Sequence, residues 1–220
     1  MAKVAVSWSG GKDSCFALYK TLVDARNVGY LLNTVRTDSN RVAFHGIRAE
    51  MIAAQADSLG IPLMQKRVGD NDYREVFAGA LAELSSDGVS QVIFGDIDVQ
   101  QNRAWCEDVC KERGLEAVFP LWGREQRGIL IEFVSLGFKA ITVCVDAGFF
   151  EKNDLGKTLD GAWVEKLDQG NPKCERATYC GENGEYHTFV FDGPIFRRKI
   201  HFNPGQVVWR ANHWLVDLIP

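Results

Sequence analysis

The stretch VAVSWSGGKDS, residues Val4–Ser14, places a glycine-rich turn with a lysine directly behind a short apolar run. In this order, an apolar strand, a glycine-rich turn and the start of a helix form an anion-binding site. The turn exposes backbone N–H groups, and the helix directs its positive dipole end at the same point. The two glycines allow a close backbone approach, the serines add hydroxyl donors, and Lys12 adds a positive charge. The stretch therefore predicts a phosphate site formed by Ser9, Gly10, Gly11, Lys12, Asp13 and Ser14.

A second interpretation of the same stretch is a plain strand-to-helix connector in which Asp13 or Ser9 caps the helix. The Walker pattern is excluded, because it requires four residues between its first glycine and Gly-Lys-Ser/Thr. The nearest match to that pattern, Leu155–Thr158, has Glu151 where the first glycine should stand.

Composition limits the classes of protein that need consideration. With 220 residues, of which 46% are hydrophobic, the chain can bury one core, or one core with a small appendage. A net charge of −4 without runs of Lys or Arg argues against a nucleic-acid partner. No apolar stretch reaches the length of a membrane span, which predicts a cytoplasmic protein. The six cysteines lack zinc-site spacing, and the roles of Cys174 and Cys180 stay open.

The first two thirds of the chain alternate apolar runs with helical patterns, which predicts an α/β fold with a doubly wound parallel sheet. Strands are predicted at Val4–Trp8, Tyr30–Val35, Pro62–Val68, Gln91–Phe94, Ala117–Phe119 and Ala140–Val145. Helices are predicted at Lys12–Asn27, Ile47–Gly60, Tyr73–Ser86, Gln100–Gly114 and Glu125–Leu136. Because such sheets bind ligands at the carboxyl ends of their strands, the residues after each strand are the candidates for a site.

After Asp146 the composition shifts towards Gly, Asn, Asp and Pro, and short strand patterns replace the alternation. We predict a domain boundary there, with an ATP-binding-type domain at 1–146 and a small α+β substrate-binding domain at 147–220. Strands in the second part are predicted at Tyr186–Phe191, Arg198–Phe202, Val207–Arg210 and Trp214–Leu218.

Three supporting positions follow strands or begin helices. Asp96, behind Gly95, is suited to Mg²⁺ or a nucleotide ribose, with capping of the next helix as the equal alternative; capping is favoured for Asp98. Arg103 could reach a phosphate or face solvent. His45 could contact a substrate or act as an acid or base, although an isolated histidine is more often structural.

The second strong motif is CGENGEYHTFVFDGP, residues 180–194. Strand alternation places Glu185, His187 and Phe189 on one face and Tyr186, Thr188 and Val190 on the other. Glu182, Glu185 and His187 are then expected to converge at one end of a hairpin, where they would bind an amine or shuttle a proton. The alternative is an ordinary hairpin with a polar outer face.

Taken together, the two motifs resemble a known family. Ser9–Ser14 resembles the PP-loop of the ATP pyrophosphatases, and its combination with Glu182–Pro194 resembles the diphthine–ammonia ligase family of PP-loop ATPases. The resemblance covers almost the whole chain. It implies an adenine nucleotide α-hydrolase-like fold, ATP with Mg²⁺, and a two-step reaction in which a carboxylate acceptor is adenylated and ammonia then displaces AMP.

The resemblance also implies roles for individual residues. The loop, with Gly95 and Asp96, would bind ATP, and Asp13 and Asp96 would hold Mg²⁺. Catalytic roles are implied for Lys12, Asp13, Glu185 and His187. Substrate-binding roles are implied for His45, Arg103, Glu182, Glu185, Tyr186, His187 and Thr188.

One departure concerns the acceptor. Family members that amidate diphthine usually have E-G-G-E-Y-E-T, whereas this chain has Asn183 and His187 in place of the second-position glycine and the last glutamate. Bacterial members with E-N-G-E-Y-H-T resemble it more closely and are assigned to other roles, such as corrinoid salvage. An imidazole in place of a carboxylate disfavours a cationic substrate such as diphthine.

Three other functions share parts of this pattern. A tRNA-thiolating enzyme would need catalytic cysteines and a basic surface, and a glutamine-dependent synthetase would need a cysteine where Ala2 stands. A non-catalytic ATP-binding protein would not need the second polar motif. The segment Trp209–Pro220 leaves open whether the chain forms a homodimer.

Overall fold

The structure is a computed structural model that describes residues 3–42, 45–170 and 177–220. Its strands are β1 Lys3–Ser7, β2 Asn27–Arg36, β3 Leu63–Val68, β4 Val89–Ile93, β5 Glu116–Val118, β6 Lys139–Asp146, β7 Tyr186–Asp192, β8 Asn203–Arg210 and β9 His213–Ile219. Its helices are α1 Lys12–Val23, α2 Ala49–Leu59, α3 Tyr73–Ser86, α4 Gln100–Lys111, α5 Gln126–Ser135 and α6 Gly161–Gln169. Of the sequence positions discussed above, Ala2 and Cys174 lie outside the described residues.

The first sheet is parallel, with strand order β3-β2-β1-β4-β5. The chain moves outward from β1 to β3 and then returns to β4 on the other side of β1. Ligands of doubly wound sheets bind where the order reverses in this way. The turn after β1 and the residues after β4 therefore lie side by side, and the predicted fold class is confirmed.

The second sheet is antiparallel, with order β7-β6-β9-β8. The prediction that Ala140–Val145 joins the parallel sheet is wrong, because β6 pairs with β7 and β9 instead. Its continuous apolar run correctly indicated burial, since Ala140 to Val145 are all buried, but burial does not reveal which strands are neighbours. The boundary near residue 146 stays a prediction; the sheets themselves divide between Val118 and Lys139.

Local differences from the predicted elements have simple causes. The first helix ends at Val23 because Ala25 adopts a left-handed conformation with φ 55°. The stretch Arg198–Phe202 is not a strand. Helix α6 was not predicted; Asp160 caps it by accepting the Trp163 N–H at 3.1 Å.

The two sheets share one hydrophobic core, which includes side chains of α1, α2 and α5 and of both sheets. Phe133 and Phe138 stack at its centre, with ring centroids 4.7 Å apart, and Phe16 meets both edge-on. A second cluster, with Phe77 and Leu81, covers the other face of the parallel sheet. No helix within the described ranges is long and apolar enough to cross a membrane.

Candidate active site

The turn after β1 leads into α1 without a side-chain cap. Gly11 is the N-cap residue, and it has no side chain that could cap the helix. The prediction that Asp13 or Ser9 caps the helix is therefore wrong. The hydroxyl groups instead brace the turn: Ser14 Oγ donates to the Gly11 carbonyl at 3.1 Å, and Ser9 Oγ accepts the Gly11 N–H at 3.3 Å.

Two glycines are required by the packing around this turn. Gly10 has φ +82°, and a Cβ atom there would lie 2.6 Å from Ile52 Cδ1. Gly95, after β4, lies against the start of α1, where a Cβ atom would meet the Asp13 carbonyl carbon at 2.7 Å and the Ser14 nitrogen at 2.8 Å. The lack of a side chain at Gly95 thus allows the end of β4 to contact the start of α1.

Strand β7 of the second sheet lies along the turn. The Lys12 N–H donates to Thr188 Oγ1 at 3.0 Å, and the Val190 N–H donates to the Gly10 carbonyl at 3.0 Å. Residues separated by 176 positions in sequence therefore form one unit, and the N-terminal loop and the C-terminal motif belong to the same site.

Gln55 on α2 joins these parts and was missed by the sequence analysis. The side chain is fully buried; its Nε2 donates to the carbonyls of Gly10 at 2.9 Å and Val190 at 2.7 Å, while its Oε1 accepts from Trp8 Nε1 at 2.9 Å. The sequence contained a signal for this residue, because Gln55 is a polar residue on the apolar face of α2 that Met51, Ile52 and Leu59 form.

Replacing Gln55 with leucine is expected to lower the free energy of unfolding by about 2–3 kcal/mol, because buried polar groups lose their partners. The turn and β7 would also lose their shared bridge, so the affinity for ATP should fall. Urea denaturation and nucleotide titration measure the two effects. Gln101→Leu, at an exposed position of α4, is the matched control; equal effects of the two variants would contradict the bridging role.

Lys12 is buried at the centre of the site, with 3% of its surface exposed. Its Nζ donates to Asp13 Oδ2 at 2.8 Å and to the Cys180 carbonyl, and it lies 4.9 Å from the centre of the Tyr186 ring. Burial opposes the charged form, but the nearby negative charge of Asp13 outweighs it and raises the pKa of Lys12 above its ordinary value. The ammonium group is therefore a fixed positive charge.

Three carboxyl groups lie close to one another around the loop: Asp13, Asp96 and Glu182. Burial raises the pKa of Asp96 and that of Asp13, although Lys12 opposes the shift at Asp13. Burial and the charge of Asp13 together raise the pKa of Glu182 to about 8, while its Oε2 accepts the Ile97 N–H at 3.1 Å. One ammonium against three carboxyl groups leaves a site that favours a further cation or a bound proton.

The residues present fit a magnesium ion only in part. Asp13 Oδ1 is buried without a hydrogen-bond partner in the described part of the chain, as a ligand atom awaiting a cation would be. Yet no group of three or more His, Cys, Asp or Glu side chains among the described residues is arranged to hold a metal. Mg²⁺ would thus take most of its ligands from phosphate and water, which is its usual behaviour at nucleotide sites.

The pKa of Glu182 leads to a pH-dependent prediction. Between its ordinary value of 4.5 and about 8, the folded state binds more protons at this group than the unfolded state. The free energy of unfolding should therefore fall as pH rises through that range, by at most about 1.4 kcal/mol per pH unit. Denaturation of wild type and Glu182→Gln from pH 5 to 8 tests this: the variant should show a shallower slope, and equal slopes would contradict the assignment.

The predicted convergence of Glu182, Glu185 and His187 is not observed. Glu182 faces the Ile97 N–H beside Lys12 and Asp13. Glu185 is buried, and its two carboxylate oxygens accept the N–H groups of Thr178 at 2.8 Å and Asn183 at 2.9 Å. These contacts favour a role for Glu185 in holding the turn before β7; its catalytic role stays a prediction.

His187 has different surroundings. Its ring lies beside that of His45, with centroids 4.5 Å apart, and it borders a cavity of about 660 Å³ under the second sheet. Burial and the nearby charge of His45 lower the pKa of His187 well below its ordinary value, so the imidazole is neutral. His45 also approaches the loop, since its Nε2 would lie 3.0 Å from a Cβ atom at Gly11.

The remaining predicted positions divide into two groups. Tyr186 lies inside the site beneath Lys12, where its hydroxyl donates to the Tyr179 carbonyl. Arg103 stacks on Trp122 at 4.7 Å, and its ion pair with Glu107 at 2.7 Å leads away from the loop.

The capping predicted for Asp98, and held equal for Asp96, is wrong. Val99 is the N-cap residue of α4 and no side-chain cap is formed, while Asp98 accepts from Gln126 Nε2 at 2.6 Å.

The cysteine left open near the second motif is structural in its contacts. The Cys180 thiol is buried and donates to the Gln126 carbonyl, and burial raises its pKa above the ordinary value. Its carbonyl accepts from Lys12, so the backbone of Cys180, rather than its sulfur, takes part in the site.

The fold and the site together are typical of α/β nucleotide-binding proteins: a glycine-rich turn at the switch point of a parallel sheet is braced by a strand from a second sheet. Comparison with known families agrees with this class. The model described as "Diphthamide synthase N-terminal domain" matches residues 2–117, and the one described as "Diphthamide synthase C-terminal domain" matches residues 125–218. The chain belongs to the diphthamide synthase family, which confirms the predicted resemblance.

Curated relatives carry one name, diphthine–ammonia ligase. The protein of Schizosaccharomyces pombe is 30% identical over 219 residues, which cover 91% of this chain and 36% of the relative. The human protein is 29% identical over 229 residues, which cover 94% of this chain and 85% of the relative. The chain thus spans about a third of the yeast relative and most of the human one, and the predicted enzyme class is confirmed at the level of the family.

Proposed function

We propose that the chain is an ATP-dependent amide ligase, which splits ATP into AMP and pyrophosphate and joins ammonia to a carboxylate. The observation that carries this proposal is the bond from the Lys12 N–H to Thr188 Oγ1, because it makes the phosphate-binding turn and the C-terminal motif one site. The relatives named diphthine–ammonia ligase support the reaction type.

The first step forms a bond from an acceptor carboxylate oxygen to the α-phosphorus of ATP and breaks the bond to the bridging oxygen, so that pyrophosphate leaves. Lys12 would stabilise the charge that develops on the leaving group. Two of the three donors of its ammonium are used, by Asp13 and the Cys180 carbonyl, which leaves one for a phosphate oxygen. The amides at the start of α1 add the helix dipole.

The second step forms the carbon–nitrogen bond. The nitrogen of ammonia attacks the activated carbonyl carbon, the bond to AMP breaks, and one proton of ammonia is released. Glu182, the carboxyl group of the second motif that lies beside the loop, would bind the incoming ammonia and, as a carboxylate, accept the proton that is released. Asp13 and Asp96 would hold Mg²⁺, whose chemistry is to neutralise phosphate charge.

The proposed compartment is the cytoplasm. All five cysteines of the described chain are free and buried, as is usual where thiols stay reduced. Whether two chains associate stays a prediction.

The proposal is tested with ATP labelled at the α-phosphate, together with Mg²⁺, ammonium and small-molecule fractions of a cell extract. AMP that forms only with particular fractions is the expected result. ADP as the sole product would contradict the pyrophosphatase chemistry. ATP binding without any product, with every fraction, would instead favour a non-catalytic ATP-binding protein.

A further inference from the structure

The cavity of about 660 Å³ lies between the segment that follows β2 and the strands β6, β7, β8 and β9. Its lining includes two groups of ionisable side chains. The arginines are Arg36, Arg41 and Arg210, and the histidines are His187 and His213. Asp217 is the one carboxylate among the lining residues in the described chain.

The Asp217 carboxylate already has two ion-pair partners. Asp217 accepts from Arg41 Nη1 at 2.6 Å and from Arg48 Nη2 at 2.6 Å. Two guanidinium groups therefore share its single charge. These charge-assisted bonds hold the pKa of Asp217 far below its ordinary value, so it stays ionised and engaged.

The other two lining arginines differ in their ion pairs. Arg36 pairs with Asp38 and Asp70, but neither of these carboxylates lines the cavity. Arg210, at the end of the exposed strand β8, makes no ion pair with any residue that the structure describes. Arg210 is therefore the lining cation without an ion-pair partner in the described chain, so a ligand with a negative group would gain a partner there, whereas the one lining carboxylate is already paired.

The cavity also shares a wall with the phosphate-binding turn. His187 borders the cavity, and the next residue, Thr188, accepts the Lys12 N–H. The His45 ring fills the space between His187 and Gly11. A molecule in the cavity can thus place one end against the imidazole wall, the part of the lining that lies nearest the loop.

From this geometry we infer that the cavity is the acceptor site and that it selects an organic acid with at least one anionic group besides the carboxylate that becomes the amide. Arg210 and Arg36 bind the second anionic group, while the neutral His187 contacts the end that faces the loop. The inference rests on the proposed ligase function, and it assigns the acceptor of that reaction to a chemical class. A quaternary ammonium acceptor does not fit this lining.

Binding is tested first by NMR of the imidazoles, because the chain has 4 histidines and two of them line the cavity. Propane-1,2,3-tricarboxylate is titrated at constant ionic strength, with its neutral triamide as the matched probe. His187 and His213 should shift in a saturable manner with the acid only, while the exposed His201 should not shift. No shift at the cavity histidines, or equal shifts with the triamide, would overturn the inference.

Variants then locate the site. Arg210→Gln should weaken binding of the tricarboxylate about fivefold to tenfold, the size expected for a charge-assisted bond near solvent. Arg113→Gln, at an exposed arginine in the turn after α4, should have no effect. Lys12→Ala should weaken pyrophosphate binding and leave tricarboxylate binding unchanged. Equal effects of the two arginine variants, or loss of tricarboxylate binding in Lys12→Ala, would place the anion elsewhere and overturn the inference.

The acceptor itself provides the second test. The extract fraction that supports AMP formation should bind to an anion exchanger. Arg210→Gln should raise the KM for the acceptor in that fraction without changing the KM for ATP. Phosphatase treatment of the fraction separates a phosphorylated acid from a polycarboxylic acid. An active fraction that binds only a cation exchanger would overturn the inference but leave the ligase intact. If no fraction supported AMP formation, both the ligase reaction and the acceptor role of the cavity would be overturned, even if the tricarboxylate binds.

Discussion

Replacing Lys12 with alanine is expected to lower the rate of AMP formation by about two to three orders of magnitude, the usual loss when one preorganised donor to a developing negative charge is removed. Contacts with Asp13, Cys180 and Tyr186 hold the buried Lys12 ammonium group in one position. The group therefore needs no rearrangement when pyrophosphate leaves. No other lysine or arginine within the described residues forms an ion pair with Asp13, and no substitute charge is at hand. Single-turnover measurements with the labelled nucleotide give the rate.

The control must separate lost chemistry from lost structure. Lys12→Ala leaves Asp13 without its ion-pair partner, which costs about 3–5 kcal/mol for a fully buried pair. The cost here should be smaller, because the side chain of Asp13 is 26% exposed. The double variant Lys12→Ala/Asp13→Asn removes both charges and should recover most of the stability without recovering activity. If it recovered activity as well, the catalytic role of Lys12 would be wrong.

Gly95→Ala is expected to disturb the site by displacing its backbone rather than by removing a charge. The added methyl group would lie 2.7 Å from the Asp13 carbonyl carbon and 2.8 Å from the Ser14 nitrogen. Backbone atoms at the start of a helix cannot rotate away as a side chain can, so α1 and the loop must shift. We expect a loss of about 1–3 kcal/mol in the free energy of unfolding and an ATP affinity at least tenfold lower, measured by denaturation and by nucleotide titration.

The matched control for Gly95 is Gly79, which lies in α3 on the exposed side. A Cβ atom at Gly79 has no neighbour within 4 Å. Gly79→Ala should therefore stabilise the protein by about 0.5–1 kcal/mol, because alanine loses less conformational entropy in a helix. An ATP affinity for Gly95→Ala equal to that of Gly79→Ala would show that the contact between β4 and α1 does not shape the site.

The fold was predictable where a pattern has a local cause. The alternation of apolar runs and helical periods predicts the five strands of the parallel sheet, and Tyr73–Ser86 matches α3 at both ends. The pattern could not assign β6, because a strand buried on both faces has the same composition in either sheet. Pairing with β7 and β9 is a long-range property of the chain.

The site was predictable in its parts but not in its assembly. The turn and the C-terminal motif were each found from residue types and spacing, and Lys12 and Thr188 do meet. Strand alternation placed Glu185 and His187 together, yet the turn before β7 folds back and its amides engage Glu185. The arginine cavity had no signal in the sequence, since Arg36, Arg41 and Arg210 come from distant segments.

Exchange of labelled pyrophosphate into ATP tests the central claim most directly. The reversible first step requires the acceptor but not ammonia, so wild-type protein with the active fraction should incorporate label into ATP when ammonium is absent. Lys12→Ala should reduce this exchange by the same factor as AMP formation. A fraction that supports AMP formation but no exchange without ammonium would contradict an adenylated carboxylate at this site.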